Sequence, residues 1–292
     1  MDNPTILVTG SNGQLGNSLR FLSEETISFN WIFTDIDELN ISNKKHIVEF
    51  FETYNPDYLI NCAAYTAVDK AEDDSQNAKL LNKTAPGYLA EICRIFNTKY
   101  IHISTDYVFD GSKNTPYNEN YPVSPLGIYG KTKYEGEQTV ISNNPNSIII
   151  RTSWLYSEYG NNFVKTMIRL AAEKPSLNVI YDQTGTPTYA GDLAHAIIRI
   201  VEHNYISNEW YSGIYNFSNE GVCSWFDFAT EIIKYVKFNC IIKPIETDEY
   251  PSRAKRPHYS VLNKKKIKTV YKIEIPYWKD SLYKCLKHLL GA

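Results

Sequence analysis

Short apolar runs alternate with longer amphipathic stretches along the first half of the chain. The first run covers residues 5–9, and similar runs follow at 31–34, 58–60, 100–103 and 147–150. Apolar runs of this length are typical of parallel strands that are buried on both faces. Strands that alternate with helices predict a Rossmann-type, doubly wound parallel sheet with right-handed crossovers.

Helices are predicted between these strands and again in the second half of the chain. The predicted helices run through Leu19 and Leu22, from a Ser42 cap to Phe51, to about Asn97 with an interruption at Pro86, from about Gly127, over 193–201, and over 225–236 with a Ser224 cap. We expect residues 1–152 to form a dinucleotide-binding Rossmann domain. A further strand at 177–180 leads us to expect that 177–203 return to it. Residues 153–176 and 204–292 are then mostly a smaller α/β substrate lobe.

A glycine-rich turn follows the first predicted strand directly. Gly10, Gly13 and Gly16 are spaced G-x-x-G-x-x-G, and a helical pattern comes next. Strand, glycine turn and helix together are the context of a dinucleotide-binding fingerprint. Gly10 would permit the tight turn, Gly13 would let the backbone approach a pyrophosphate at the helix N-terminus, and Gly16 would let helix and strand pack closely.

Asp35 ends the second apolar run, about twenty residues after the glycines, where the fingerprint expects an acidic residue. A carboxylate there accepts hydrogen bonds from the adenosine ribose hydroxyls and repels a 2′-phosphate. Asp35 therefore favours NADH over NADPH. Lys44 and Lys45 lie not far downstream, and they leave this preference open.

A hydroxyl, a phenol and an ammonium group form the candidate catalytic set. Thr105 follows the fourth apolar run, and Tyr129 and Lys133 are spaced i, i+4 in a predicted helix. That spacing puts both side chains on one helix face, one turn apart. A phenol beside an ammonium is a proton donor whose pKa the charge lowers. The Tyr/Lys spacing alone is often fortuitous, but the glycine turn favours the catalytic interpretation.

The composition of the 292-residue chain excludes several classes of function. A hydrophobic content of 43%, a charged content of 22% and a net charge of -3 are ordinary for a globular protein and predict no nucleic-acid partner. The five cysteines are scattered without metal-ligand spacing, so neither a metal site nor a disulfide framework is expected. Neither a signal-peptide pattern nor a membrane-spanning run is visible. We expect a cytoplasmic protein without a membrane partner.

Seven motifs resemble the extended short-chain dehydrogenase/reductases and, within them, the dTDP-4-dehydrorhamnose reductases. They are the glycine turn at 10–16, NCAAYTAVDKAE at 61–72, STDYVFDG at 104–111, YGKTKYEGE at 129–137, RTSWLY at 151–156, GNNF at 160–163 and RPHYSVLN at 256–263. The resemblance implies NAD(P)H-dependent reduction of the C4 ketone of dTDP-4-dehydro-β-L-rhamnose to dTDP-L-rhamnose. In that family this is the final step of dTDP-rhamnose biosynthesis for cell-surface polysaccharide.

The resemblance also implies roles for individual residues. Tyr129 matches the acid that protonates the developing alkoxide, Lys133 matches the residue that holds the nicotinamide ribose, and Thr105 matches the hydroxyl that orients the ketone. The expected cofactor-binding residues are Gly10, Gly13, Gln14, Leu15, Gly16, Asp35, Ala63, Ala64, Tyr65, Thr66, Tyr129 and Lys133. The expected substrate-binding residues are Thr105, Asp106, Trp154, Val68, Asn162, Phe163 and Arg256.

The chain departs from the family at one site. Some members are described as dimers that hold a magnesium ion through glutamates, and the corresponding positions here are Ser18 and Gly191. Neither residue supplies a carboxylate, so we expect no magnesium site, and both a monomer and a homodimer remain open.

Other functions remain open on the same fold. A nucleotide-sugar dehydratase would carry an Asp-Glu pair after the threonine, whereas this chain has Asp106 and Tyr107. An epimerase or another nucleotide-sugar reductase would share the cofactor and the Tyr/Lys pair. A non-catalytic regulatory or binding subunit is the alternative from a different class, and the intact Thr105/Tyr129/Lys133 set argues against it.

Overall fold

The computed structural model describes residues 3–26 and 29–291, and helices and strands alternate over most of them. The strands are β1 (Thr5–Thr9), β2 (Asn30–Thr34), β3 (Tyr58–Asn61), β4 (Lys99–Thr105), β5 (Ile148–Thr152), β6 (Leu155–Tyr156), β7 (Ser176–Ile180), β8 (Thr184–Gly185), β9 (Thr188–Tyr189), β10 (Gly213–Asn216), β11 (Cys223–Ser224) and β12 (Ile241–Ile245). The α-helices are α1 (Gln14–Ser23), α2 (Lys44–Tyr54), α3 (Val68–Ala71), α4 (Ser75–Lys79), α5 (Ala85–Ile95), α6 (Ile128–Asn143), α7 (Phe163–Glu173), α8 (Ala190–Ser207), α9 (Trp225–Val236), α10 (Lys265–Tyr271) and α11 (Trp278–Leu290).

A six-stranded sheet in the order β2-β1-β3-β4-β5-β10 forms the centre of the molecule. Every neighbouring pair in it is parallel. The predicted doubly wound parallel sheet is therefore confirmed. The strand order reverses at β1, which has β2 on one side and β3 on the other. Ligands of open parallel sheets bind beyond the carboxyl ends of the strands at such a switch point.

Both faces of the sheet are covered, because successive side chains of a strand point to opposite faces. Ile6 and Val8 of β1 pack into one apolar cluster with residues of α1 and α8. Leu7, between them, packs into another cluster with residues of α2 and α5. All three side chains have no exposed surface, which explains why β1 is apolar on both faces.

Elements of the second half of the chain lie partly against or within the main sheet and partly in smaller sheets outside it. β7 pairs with β12 in a separate two-stranded sheet, so the strand expected at 177–180 does not join the main sheet. α8 does return, since it packs against α1. The sixth strand of the main sheet is β10, from the segment that we assigned to the substrate lobe. Its sequence, Gly-Ile-Tyr-Asn, is too short and too polar to indicate a buried strand.

Helix ends differ from the predictions where local capping decides them. Asn43, rather than Ser42, caps α2, because its side chain accepts hydrogen bonds from the Lys45 and His46 backbone N–H groups. The predicted Ser224 cap of α9 is confirmed, with a reciprocal bond to Asp227. Pro86 lies in the first turn of α5, after a short π-helix at residues 80–84. Within the described residues, no helix is long and apolar enough to span a membrane.

Candidate active site

The glycine turn packs too tightly for side chains at two of its three glycines. Gly10 has a φ of +67°, and a Cβ there would lie 2.6 Å from the Ala63 Cα atom. A Cβ on Gly16 would lie 2.4 Å from the Ser11 Cα atom. Gly13 precedes α1, and no side chain caps this helix end. The first N–H groups of α1 therefore remain available to an anionic group, which fits a dinucleotide pyrophosphate.

The side chains that follow Gly13 point away from this turn. Leu15 is buried in the core. The Gln14 amide oxygen accepts hydrogen bonds from Ser157 Oγ at 3.2 Å and from Asn162 Nδ2 at 2.9 Å. The Gln14 amide nitrogen donates to the Leu155 carbonyl at 3.4 Å. Among the expected cofactor contacts, residues 14 and 15 thus offer their backbone N–H groups, while the Gln14 side chain joins the two halves of the molecule.

Asp35 lies directly after β2 and is held against the glycine turn. Its carboxylate accepts hydrogen bonds from the backbone N–H groups of Asn12 at 3.0 Å and Ile36 at 2.9 Å. Lys44 and Lys45 are engaged elsewhere, with Glu91 at 2.7 Å and Glu49 at 3.6 Å. Neither lysine is therefore paired with the carboxylate that faces the expected ribose position.

The segment after β3 forms the wall opposite the glycine turn. Ala63 touches Gly10, as noted above, and Ala64 follows it. The Tyr65 backbone N–H donates to Asn82 Oδ1 at 2.9 Å, and the Tyr65 hydroxyl donates to Asp74 at 3.2 Å. Thr66 is exposed. The structure brings Ala63 and Gly10 together and places Ala64, Tyr65 and Thr66 in the loop that continues this wall.

Thr105, Tyr129 and Lys133 come together at the carboxyl end of β4. Thr105 ends that strand, and the Tyr129 phenol on α6 lies near its hydroxyl. Lys133 is 2% exposed, and its Nζ donates to the Ile103 carbonyl at 2.6 Å. Gly130 lets α6 approach closely, because a Cβ there would lie 2.2 Å from the Tyr107 carbonyl oxygen. The predicted set is thus assembled by one strand end and one helix.

The pKa values in this group follow burial. Burial raises the pKa of Tyr129 to about 12, and the nearby Thr105 hydroxyl opposes the increase. Burial lowers the pKa of Lys133 to about 8, and the Glu137 carboxylate opposes the decrease. The expected lowering of the tyrosine pKa by Lys133 is absent in this arrangement, because the ammonium group is directed at the Ile103 carbonyl.

A buried ion pair beneath these groups was not predicted from the sequence. Glu137 lies one turn after Lys133 on α6 and binds Arg151 of β5 through two hydrogen bonds of 2.9 and 2.6 Å. Ser104 Oγ donates to the same carboxylate at 2.5 Å. The Arg151 side chain is 2% exposed and the Glu137 side chain is 0% exposed. The signal in the sequence was the spacing 129, 133, 137, which puts all three residues on one helix face.

Asp106 lies next to this set, and Trp154 follows β5, the strand beside β4. Both residues have unusual local environments. Asp106 is 1% exposed and accepts a hydrogen bond from Thr105 Oγ1 at 3.1 Å. Trp154 has a φ of +47°, which is rare for a bulky residue and occurs at functional sites. Its ring stacks on Trp225 at 3.6 Å. Trp225 in turn contacts Phe163 at 4.7 Å. Trp225, at the start of α9, was not predicted as a site residue, because its contact with Trp154 joins positions that are distant in the chain.

The Arg256 side chain is already paired with a carboxylate. Its guanidinium binds the Asp69 carboxylate at 2.6 Å, and Asp69 lies on α3 beside Val68. The Ala254 backbone N–H donates to the same carboxylate at 3.1 Å. These contacts hold the segment around 252–256 against α3. The Asn162 side chain is similarly occupied, since it contacts Gln14 and caps α7 through the Lys165 N–H at 3.1 Å.

Ser18 and Gly191 line a cavity of about 760 Å³ that is separate from the Thr105/Tyr129/Lys133 set. The Ser18 hydroxyl donates to the Gln14 carbonyl at 3.0 Å, and Gly191 lies against the Tyr189 ring. Glu158 and Asp192 also line this cavity. Within the described part of the chain, no group of three or more His, Cys, Asp or Glu side chains is arranged to hold a metal ion.

The parallel sheet, the glycine turn at its switch point and the Tyr/Lys pair on the adjoining helix define the chain as an extended short-chain dehydrogenase/reductase. The chain belongs to the family described as the RmlD substrate binding domain, whose model matches residues 4–290.

Comparison with known proteins supports that membership over nearly the whole length. A dTDP-4-dehydrorhamnose reductase from Aggregatibacter actinomycetemcomitans is 41% identical over 283 residues, which cover 95% of this chain and 96% of the relative. The crystal structure of a dTDP-4-dehydrorhamnose reductase from Clostridium acetobutylicum is 39% identical, with a TM-score of 0.93 and coverage of 98% of this chain and 99% of that one. A Bacillus anthracis dTDP-4-dehydrorhamnose reductase in complex with NADP is 36% identical, with a TM-score of 0.90 and coverage of 98% and 99%.

Proposed function

We propose that this chain reduces the C4 ketone of dTDP-4-dehydro-β-L-rhamnose to dTDP-L-rhamnose with NADH or NADPH, the final step of dTDP-rhamnose biosynthesis. The observation that carries the proposal is the meeting of Thr105, Tyr129 and Lys133 at the carboxyl end of a parallel sheet, next to an uncapped helix N-terminus. The names of the full-length relatives support the choice of substrate.

Residues 10–16 would hold the pyrophosphate, Asp35 the adenosine ribose, and Ala63, Ala64, Tyr65 and Thr66 the opposite side of the cofactor. When bound, the reduced nicotinamide supplies the hydride that the ketone carbon accepts. Negative charge then develops on the ketone oxygen, and donors that are already aimed at this oxygen stabilise the transition state more than the ground state.

In this proposal Tyr129 donates its phenolic proton to the developing alkoxide, and Thr105 donates a hydrogen bond to the same oxygen. Lys133 holds the nicotinamide ribose, and its charge lowers the pKa of the Tyr129 phenol once the ammonium leaves the Ile103 carbonyl. A positioned general acid contributes about a hundred- to ten-thousandfold in rate. The burial that raises the pKa of Tyr129 to about 12 keeps the phenol protonated at neutral pH, as a general acid requires.

The substrate would lie between this set and the second lobe. Asp106 and Trp154 are the proposed contacts with the sugar, together with Val68 and Phe163 at the neighbouring wall. Arg256 is the proposed ligand of the diphosphate, since a guanidinium matches phosphate oxygens in a bidentate manner. Binding in that manner exchanges the Asp69 carboxylate for the diphosphate. The Asn162 side chain supports the Gln14 contact and contributes indirectly.

We also propose that NADH is preferred. The Asp35 carboxylate is fixed beside the glycine turn, and Lys44 and Lys45 pair with glutamates of their own. A 2′-phosphate would therefore meet a carboxylate without a compensating lysine. The relative from Bacillus anthracis was solved with NADP, so the two cofactors need to be compared directly on this chain.

One experiment tests the function and the cofactor preference together. Purified protein is mixed with dTDP-4-dehydrorhamnose and either NADH or NADPH, and cofactor oxidation is followed while the sugar product is identified by NMR. We expect dTDP-L-rhamnose in amounts equal to the cofactor oxidised, and a higher kcat/KM with NADH. Oxidation of neither cofactor would reject the reductase and favour the non-catalytic binding subunit, and conversion of a different nucleotide sugar would reject the substrate.

The proposal includes a cytoplasmic location, which the five unpaired cysteines favour. The oligomeric state is proposed as a monomer or a magnesium-independent homodimer, because Ser18 and Gly191 carry no carboxylate. Light scattering with magnesium and with EDTA tests this point. A dimer that forms only with magnesium would contradict it.

A further inference from the structure

The carboxyl group of Asp106 has an oxygen that nothing in the described structure engages. Oδ1 accepts the hydrogen bond from Thr105 Oγ1 at 3.1 Å, whereas Oδ2 is buried and has no hydrogen-bond partner. An ionised carboxylate whose second oxygen is buried without a partner is strongly disfavoured. A protonated carboxyl needs fewer acceptor contacts and has an O–H to donate. The environment of Asp106 therefore favours its neutral form.

The protonation of Asp106 affects Thr105, because a threonine hydroxyl has a single proton. When Asp106 is ionised, it attracts the Thr105 proton, and one lone pair of Thr105 Oγ1 accepts from the Tyr107 backbone N–H at 3.2 Å. Thr105 then has no proton to donate to another group. When Asp106 is protonated, its O–H can donate to Thr105 Oγ1, and the Thr105 proton becomes available. Thr105 also contacts the Tyr129 phenol, so the change occurs beside the proposed proton donor.

We propose that Asp106, besides its proposed contact with the sugar, positions the Thr105 proton, and that it must be neutral for the Thr105 hydroxyl to donate to the ketone oxygen of the substrate. The inference rests on the proposed reductase function and deepens it. With Asp106 ionised, the remaining lone pair of Thr105 faces the oxygen on which negative charge develops, and it opposes the reaction. With Asp106 neutral, Thr105 and Tyr129 are two donors aimed at the same oxygen.

The surroundings of Asp106 put this equilibrium near neutral pH. Burial raises the pKa of Asp106 to about 7, while the nearby hydroxyls of Ser260 and Thr105 and nearby backbone N–H groups oppose the increase. The phenols of Tyr107 and Tyr129 face it, and the Arg256–Asp69 pair lies beyond Tyr107.

Because loss of the Asp106 proton removes the Thr105 donor but not Tyr129, reduction should slow as the pH rises through about 7 and then level off at the lower rate that Tyr129 supports alone. Lys133 is the other group whose loss of a proton could slow the reaction in this range, since burial lowers its pKa to about 8. Variants of the residues around Asp106 separate the two groups, because Lys133 donates to Ile103 and not to Asp106.

The test is the single-turnover rate of cofactor oxidation with saturating cofactor and sugar, measured from about pH 5 to about pH 9. In Ser260→Ala the decline should move to higher pH, because a nearby hydroxyl that stabilises the ionised form is lost. In Asp106→Asn the amide donates at every pH, so the ratio of rates at about pH 6 and about pH 8 should approach one. In Thr105→Val the same ratio should also approach one, because no hydroxyl remains to be directed.

A decline that persists unchanged in Asp106→Asn and Ser260→Ala would overturn the inference and assign the titration to Lys133. A loss of rate in Asp106→Asn that is equal at all pH values, with the wild-type decline unaffected by Ser260→Ala, would overturn it in favour of an ionised sugar contact. Each variant is first checked for cofactor binding, and Ser260→Ala keeps the test available if Asp106→Asn does not fold.

A second readout separates failure of this inference from failure of the proposed function. Carboxyl-¹³C NMR of aspartate-labelled protein follows the Asp106 titration without any substrate, with Asp106→Asn providing the assignment. We expect a midpoint near neutral pH that rises in Ser260→Ala. Titration near the ordinary aspartate value of about 4 would overturn the inference even if the sugar is reduced. A neutral midpoint without sugar turnover would instead reject the proposed function.

Discussion

The floor and the rim of the candidate site are built in different ways. At the floor, Glu137 and Arg151 are 0% and 2% exposed and fix the helix that carries Lys133. At the rim, Arg256 and Asp69 are 21% and 47% exposed and join positions that lie 187 residues apart in the chain. A buried, hydrogen-bonded charge network fixes geometry, whereas a partly exposed pair is weak and can exchange partners. The floor therefore suits proton transfer, and the rim suits binding and release of a charged substrate.

The largest effect is expected at the floor, from removal of the phenolic proton. In Tyr129→Phe, kcat should fall about a hundred- to ten-thousandfold while the cofactor Kd stays within about twofold. Steady-state kinetics and cofactor fluorescence titration measure the two quantities. Tyr107→Phe is the matched control. The Tyr107 ring packs edge-on against the Tyr129 ring, with 5.4 Å between the centroids, and this substitution leaves the Tyr129 hydroxyl unchanged. Near-wild-type turnover in Tyr129→Phe would remove this residue from the proposed role.

The next effect concerns the stability of the floor. Arg151→Met leaves the Glu137 carboxylate buried without its partner, and the free energy of unfolding should fall by about 3–5 kcal/mol. Chemical denaturation measures the change. Lys83→Met is the control, since Lys83 pairs with Glu135 of the same helix α6 where both side chains are about one-third exposed, and it should change stability by less than about 1 kcal/mol. Equal effects of the two substitutions would contradict the distinction between buried and exposed pairs.

A smaller effect is expected where Gln14 joins the glycine turn to the segment that follows β5. Gln14→Ala removes the amide that bonds Ser157, Asn162 and Leu155, and it should destabilise the protein by about 1–2 kcal/mol. The KM of the nucleotide sugar should rise severalfold, while the cofactor Kd changes little because the backbone N–H groups remain. Asn17→Ala removes a single side-chain bond to the Gly13 carbonyl at 2.9 Å, and it should change stability and the sugar KM less than Gln14→Ala does. A selective loss of cofactor affinity in Gln14→Ala would show that its side chain contacts the cofactor instead.

The smallest effect on stability is expected at the rim. Arg256→Gln should change the free energy of unfolding by less than about 1 kcal/mol, yet it should raise the KM of the nucleotide sugar, because the proposed diphosphate ligand is lost. Arg253→Gln is the matched control, since Arg253 pairs with Asp73 where both side chains are more than half exposed. An unchanged KM in Arg256→Gln would reject Arg256 as a ligand of the diphosphate.

The glycine turn and the Thr105/Tyr129/Lys133 set could be predicted from the sequence to a greater extent than the charged pairs around them. Gly10, Gly13 and Gly16 follow a strand directly, and Tyr129 and Lys133 are one helical turn apart, so local spacing was sufficient to identify them. Thr105 required only the rule that ligands bind at the carboxyl ends of parallel strands.

The groups that the sequence did not reveal meet through long-range contacts. Arg151 contacts Glu137 because β5 lies beside β4 in the sheet, and the Trp154–Trp225 stack needs the second lobe folded onto the first. The Arg256–Asp69 pair likewise joins two distant segments. β10 was missed because Gly213–Asn216 is short and carries polar residues, although its pairing with β5 completes the main sheet.

The central claim is that C4 of the sugar accepts hydride from a nicotinamide held on the glycine turn, while the Thr105/Tyr129/Lys133 set acts on the ketone oxygen and the cofactor. The most direct measurement uses cofactor labelled with deuterium at nicotinamide C4 and dTDP-4-dehydrorhamnose, with the product examined by NMR. We predict one deuterium at C4 of the rhamnose ring when the label is on the transferred side, and none when it is on the other. Product that carries no deuterium with either labelled cofactor, or deuterium at another sugar carbon, would contradict the claim.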